Sequence, residues 1–248
     1  MANSKYIIRK THRYLGLFIG IQFLLWTVGG LYFAWTNIEE IRGNHLIHQD
    51  DILIVKESMK SPEEVLRINK IAPTKVKEIK LSSLFYESYY YVVLDDNMML
   101  INSVTGKIRD SISEQDARKI ALKKLKKNIP IKNIEYVTTE NIDQHFQYRG
   151  GMLPAWAVEL DDDSNTVLYI CALQGTLERV RTKEWRIFDF LWMLHIMDFD
   201  ERDNINNSLL RGFSILGLFT ILSGFVLFFQ SSRTIIKIFR MRFFRKVF

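Results

Sequence analysis

The side chains able to do chemistry are few: five histidines, His12, His45, His48, His145 and His195, and one cysteine, Cys171. Imidazoles ligate metals and haem iron and move protons near neutral pH. His45 and His48 stand at i, i+3 with Asp50 and Asp51 close behind, a weak metal-ligand pair that reads first as a polar loop. His145 lies among Gln and Tyr in an expected loop and is assigned no role. His12 follows Arg9 and Lys10, and at helical spacing its face continues through Leu15, Gly16, Ile19, Gly20 and Phe23. Its leading reading is a polar flank of an apolar helix. The sharper one is an axial haem ligand beside a notch made by Gly16 and Gly20, which also serve as a small-xxx-small packing face. Ser214, Gly217 and Gly224 offer a second set of small residues for that packing. His195 shares an expected helical face with Trp185, Phe188, Trp192 and Phe199. It reads as a hydrogen-bonded structural residue first, and as a haem or substrate ligand second.

Other signatures are missing from the sequence. It contains no P-loop, G-x-G-x-x-G, H-E-x-x-H, C-x-x-C or G-x-S-x-G, so no catalytic residue is assigned. The acids Asp198, Asp200, Glu201 and Asp203 lack the Gly and terminal Glu of a calcium loop and read as a solvated junction. A single cysteine leaves an exported domain without an internal disulfide, so packing must hold it.

The elements that position these residues begin with two uncharged stretches, Tyr14 to Ile38 and Gly212 to Ser232. Each has the roughly 20 residues needed to cross a bilayer. Lys5, Arg9, Lys10 and Arg13 precede the first, and Arg233, Lys237, Arg240, Arg242, Arg245 and Lys246 follow the second, with no acid in either flank. The net charge of +6 therefore resides in the ends and the middle is mildly acidic, which excludes a nucleic-acid reading. By the positive-inside rule both termini face the cytoplasm and the middle faces outward. Ala34-Trp35-Thr36 is a poor cleavage site, so the first stretch is expected to stay as a signal anchor. The expected division is a basic N-terminus (1–13), a first span (14–38), an outer domain (39–184), an interfacial helix and junction (185–208), a second span (209–232) and a basic tail (233–248). That tail is expected as a helix on the anionic inner leaflet.

The outer domain reads as an internal duplication, about 58–110 and 111–182. Each half opens on a capped helix, at Ser61-Pro62-Glu63-Glu64 and at Ser113-Glu114-Gln115-Asp116, the second running to about Lys126. Strands are expected from Val76 to Leu81, Tyr89 to Leu94 and Met98 to Asn102, then from Ile134 to Thr138, Trp156 to Leu160 and Val167 to Ala172. Val104-Thr105-Gly106-Lys107 and Gln174-Gly175-Thr176 close the halves. A helix on an antiparallel sheet, made twice, is an α+β fold.

These helix-plus-hairpin units with their closing turns resemble the PepSY module. The opening Arg9-Lys10-Thr11-His12-Arg13-Tyr14-Leu15-Gly16-Leu17, and Leu191 to Phe199 followed by Glu201-Arg202-Asp203-Asn204, resemble the flanks of PepSY-associated transmembrane proteins. The resemblance implies a bacterial inner-membrane protein with a periplasmic domain, and a homodimer or membrane-protein partner. Larger four-span relatives include haem-containing reductases of ferric siderophores, which makes haem b the possible cofactor. His12 and His195 are expected at opposite membrane surfaces and cannot ligate one iron. A haem reading therefore needs a dimer. The leading expectation is a non-enzymatic protein whose outer domain binds or regulates an envelope protein or peptide, with exposed strand edges such as Tyr89 to Leu94 open to strand addition.

Overall fold

A computed structural model describes residues 2–48, 55, 58–85, 87–95 and 97–232. The chain is α+β: two long apolar helices lie toward the ends and two four-stranded antiparallel sheets lie between them. It divides into two compact units, Met1–Thr36 with Ile187–Phe248, and Asn37–Arg186. The basic tail lies outside the described residues.

The first unit is built on helices α1 (Ala2–Trp35) and α6 (Ser208–Ser231). Their segments Tyr6–Trp35 and Ser208–Ser231 are long and apolar enough to cross a membrane. They are not buried core helices, since only 17% and 11% of their most apolar windows is enclosed by protein. Leu17, Ile21, Leu24, Phe219, Leu222 and Phe225 all stand exposed, a surface suited to lipid. α1 begins well before the expected span, because Lys and Arg are good helix formers and the basic flank joins the helix. It also ends before Ile38. Asn37 accepts the backbone N–H of Glu39 at 3.0 Å and caps a separate turn, α2 (Ile38–Ile41).

The second unit carries the sheets. Helix α3 (Pro62–Ile68) starts on the Ser61 cap and buries Val65 and Leu66 against the first sheet. That sheet runs in order β1 (Val76–Leu84), β2 (Glu87–Leu94), β3 (Met98–Asn102), β4 (Ile108–Arg109). Helix α4 (Glu114–Lys124) opens on a reciprocal capping box, Ser113 with Asp116. The second sheet runs β5 (Ile131–Val137), β6 (Ala155–Leu160), β7 (Val167–Cys171), β8 (Leu177–Arg181).

The two halves match in detail. Each first strand slips register near its start, at Val76/Glu78 and at Ile131/Asn133. Each third strand leaves through the same turn: Gly106 N–H donates to Asn102 C=O, and Gly175 N–H to Cys171 C=O, both at 2.8 Å. Gly106 and Gly175 hold φ of 73° and 70°, a region in which a Cβ is strained. The closing glycines do not end the halves, since each turn leads into a fourth strand. Tyr89 to Leu94 lies in β2, between β1 and β3, and is no edge. Among the described residues, the edges of the first sheet are β1 and the two-residue β4.

The main core joins α4 and the second sheet (Ala117, Ile120, Val158, Leu160, Leu168, Ile170) to Leu84, Tyr89 and Leu100 of the first. The halves therefore fold around a shared interior.

Candidate functional site

Within the helical unit, α1 and α6 cross with Ile19 fully buried. A Cβ at Gly217 would meet the Phe23 ring at 2.9 Å, and one at Gly224 would meet the His12 ring at 3.2 Å. The glycines that the helix pair uses are therefore those of α6. Among the described residues, nothing lies within 4 Å of the missing Cβ atoms of Gly16 and Gly20, so the notch expected at these two residues is not filled by α6. His12 Nδ1 lies 2.7 Å from Ser223 Oγ, whose hydroxyl donates to Thr220 C=O at 2.8 Å. That arrangement casts Ser223 as acceptor and His12 Nδ1–H as donor, a hydrogen bond between helices in an apolar setting.

His195 sits on helix α5 (Lys183–Ile196). From residue 187 on, this helix packs Phe188, Trp192 and His195 around Phe33 of α1, with ring centroids 4.9, 5.9 and 5.7 Å away. The aromatic face expected to lie in the headgroup layer is thus turned onto α1. Phe199 is not part of it: the helix stops at Ile196, Met197 adopts a left-handed φ of 54°, and Phe199 is exposed. His195 Nδ1 is buried with no hydrogen-bond partner among the described residues and lies 3.9 Å from where a Gly29 Cβ would be.

The last carbonyls of α5 would be orphans in this apolar setting. Gln22 Nε2 donates to Leu194 C=O at 3.1 Å, Trp26 Nε1 to His195 C=O at 2.8 Å, and Asn207 Nδ2 to Ile196 C=O at 2.8 Å. Asp189, 4% exposed, pairs with Arg202. The sequence reading missed Gln22, Gly29 and Ser223. An amide deep inside an uncharged run was the available signal for Gln22.

His12 and His195 lie at opposite ends of the helix pair. His12 faces Gly224, whereas His195 packs on Trp26, about fourteen helical residues or roughly 20 Å further along α1. One chain does not bring them to one iron. The donor set does not fit a bis-histidine haem within a single copy.

In the sheet unit, His45 and His48 are exposed on a turn beside the C-terminus of α4, where His48 N–H donates to Lys124 C=O at 2.8 Å. Asp50 and Asp51 lie outside the described residues. Among the described residues no three His, Cys, Asp or Glu side chains gather as a metal site. Asp198, in the helical unit, accepts the backbone N–H groups of Asn204 and Asp203, which hold its carboxyl below the ordinary range. It organises its own loop.

His145, which sequence left without a role, is partnered. Its Nδ1 lies 3.5 Å from the Tyr169 hydroxyl and its Nε2 3.4 Å from a Glu135 oxygen, the latter pair too poorly aligned for a hydrogen bond. This Glu–His–Tyr line lacks a usable nucleophile, because burial pushes Tyr169 up to about 12. Tyr148 stacks on Tyr169 at 4.6 Å. Burial likewise pushes the Cys171 thiol up.

The first sheet keeps an open groove of about 420 Å³ on the face away from α3. Glu78, Lys80 and Ser82 of β1, Tyr91 of β2 and Met98 of β3 line it, with Met152 and Gln174 arriving from the second half. The Tyr91 hydroxyl bonds the Met98 sulfur, and Gln174 Nε2 lies 3.2 Å from the Met152 sulfur. Beside the groove runs β1, nine residues long and paired only to β2 among the described residues.

Compared with known proteins, this chain matches no family model, no curated protein and no solved structure.

Proposed function

We propose that this chain is a two-span inner-membrane protein with cytoplasmic termini and a periplasmic domain of two PepSY-like repeats. That domain binds an extended segment of another envelope protein and does no catalysis of its own. The observation that carries the reading is the open edge of β1 beside the methionine-lined groove. A strand paired along one side only offers N–H and C=O groups on its other side to an incoming strand, and adjacent side-chain pockets select its sequence. Methionine suits such a pocket, being flexible and polarisable. Lys77 and Lys80 on β1 guard it against indiscriminate pairing.

A photo-crosslinking residue at Ser82, in native membranes, is expected to capture a partner. Recovery of the monomer alone under every growth condition defeats the reading. Topology has its own test. Single cysteines at Ser111 and at the C-terminus should label from opposite sides, and labelling of both from the cytoplasm overturns the proposed orientation. Cys171 stays silent in that assay, being buried with a raised thiol pKa.

A second reading, a dimeric b-type haem protein passing electrons toward ferric substrates, has one observation in its favour: the buried, unpartnered Nδ1 of His195 beside Gly29. It requires a second copy to complete each histidine pair. A reduced-minus-oxidised spectrum of the purified protein decides it. A low-spin band lost in His12→Ala and in His195→Ala establishes haem, and a colourless protein from haem-replete cells removes it.

A further inference from the structure

The open groove of the first sheet brings two thioethers from different halves of the domain onto one hydroxyl. Met98 opens β3, and Met152 stands just before β6. The Tyr91 hydroxyl lies 2.5 Å from the Met98 sulfur and 3.9 Å from the Met152 sulfur. The sum of those two distances, 6.4 Å, is the most that can separate the sulfurs. Met152 is positioned at both ends. Its carbonyl accepts the hydroxyl of the buried Tyr148 at 2.7 Å, and its sulfur lies 3.2 Å from Gln174 Nε2.

These two methionines are not core residues. Among the described residues neither belongs to a hydrophobic cluster, whereas the adjacent Met99 packs into the core beneath α3. Both line the groove instead. The charged side chains of that lining are Glu78 and Lys80, which pair with each other at 2.9 Å. A hard divalent cation finds no second carboxylate in the lining, and an anion finds no second base. What the groove offers is a pair of neutral, polarisable sulfurs, the donors that select soft metal ions.

We propose that Met98 and Met152 form a binding site for the soft monovalent cation Cu(I), with the Tyr91 hydroxyl and the Gln174 amide as its outer partners. One ion bridges two sulfurs when they stand about 4.6 Å apart or closer, twice a metal–sulfur bond of roughly 2.3 Å. Three rotatable bonds in each methionine cover the remaining distance. The site is independent of the peptide reading. Strand addition uses the backbone edge of β1, so capture from Ser82 can fail without altering metal affinity.

Anaerobic titration of the full chain in mild detergent with Cu(I), in competition with the chromogenic chelator bicinchoninate, tests the assignment. The Met98→Leu, Met152→Leu double variant keeps side-chain volume and should bind at least about tenfold more weakly, a loss that changes to outer partners alone can produce. A Met59→Leu, Met99→Leu double variant removes as many sulfurs from around the α3 core and should keep the affinity. Thioethers carry no proton, so affinity should stay level from about pH 7 to about pH 5, where histidine and thiolate ligands are lost to protonation. Copper-edge X-ray absorption of the unaltered chain should show sulfur neighbours. Unchanged affinity in a Met98, Met152 variant whose denaturation midpoint shows it folded overturns the proposal. So does Cu(I) that is lost in Cys171→Ser, or an affinity that falls with acid. Zn(II) uptake abolished by the same methionine variant overturns the soft-ion assignment. Should that variant fail to fold, the pH series and the absorption spectrum of the unaltered chain decide.

Discussion

The two sheets share a plan and differ in how their second faces are treated. On the helix-covered faces the residues correspond: Val92 and Ile101 pack under α3, and Val158 and Ile170 under α4. On the opposite faces they diverge. In the first half only two residues separate β1 from β2, and the large residues sit on the strand itself, Tyr89 and Tyr91. In the second half residues 138–154 intervene between β5 and β6, including a 3-10 segment at Ile142–Tyr148. That insertion lays Tyr148 over the strand, where the matching positions are the small Ala155 and Ala157. Bulk supplied by the strand leaves a groove, whereas bulk supplied by the insertion closes one. The two sheets have corresponding faces, and the first of them keeps an open groove.

The contrast predicts unequal costs. Tyr148→Ala removes a fully buried ring from the closed face and should destabilise the full chain by about 3–5 kcal/mol in denaturant titration. Tyr91→Ala, at a groove wall, should cost clearly less while weakening partner capture from Ser82. Equal costs for the two would break the comparison.

The closing glycines sharpen it. Gly175→Ala meets a left-handed φ and a Cδ of Leu84 at 2.8 Å, and Leu84 is itself buried. Gly106→Ala meets the same strain but only the end of the half-exposed Ile68 at 2.9 Å. We expect about 2–3 kcal/mol for the first and about 1–2 for the second, from left-handed strain with and without an immovable neighbour.

Next comes Ala157→Tyr, which writes the residue of the open face into the closed one. Overpacking beneath the tyrosine stack should cost about 1–3 kcal/mol. A neutral outcome would show that the insertion lifts away freely.

The smallest effect is in pH. Tyr169 is held neutral by burial, its pKa raised to about 12. Between the ordinary tyrosine value near 10 and about 12, the unfolded chain binds fewer protons than the folded one. Stability contributed by this group is therefore intact below about pH 10 and declines as pH rises toward 12. The slope in that window should shrink in Tyr169→Phe.

Local patterns were legible because they depend on neighbours in the chain. The caps at Ser61 and Ser113, the uncharged helices and the alternating strands each need only a few consecutive residues to be recognised. Strand order was not legible, so Tyr89 to Leu94 read as an edge when β1 covers it. The fourth strands were also hidden: Ile108–Arg109 is too short to show a period. The histidines fared similarly. Helical spacing put His12 on one face with Gly16 and Gly20, but that face is wide. Only the crossing with α6 turned the ring onto Ser223 and Gly224 and left the other two glycines open.

By itself, the sequence determined that this chain has two apolar helices with basic flanks and an α+β segment between them, because hydropathy, charge and capping act over short range. Tertiary structure alone decided which glycines pack, that Gln22 and Trp26 cap the carbonyls of α5, which sheet face stays open, and that Met98 and Met152 meet there from different halves of the domain. Those outcomes depend on which distant surfaces meet, and no local pattern encodes that.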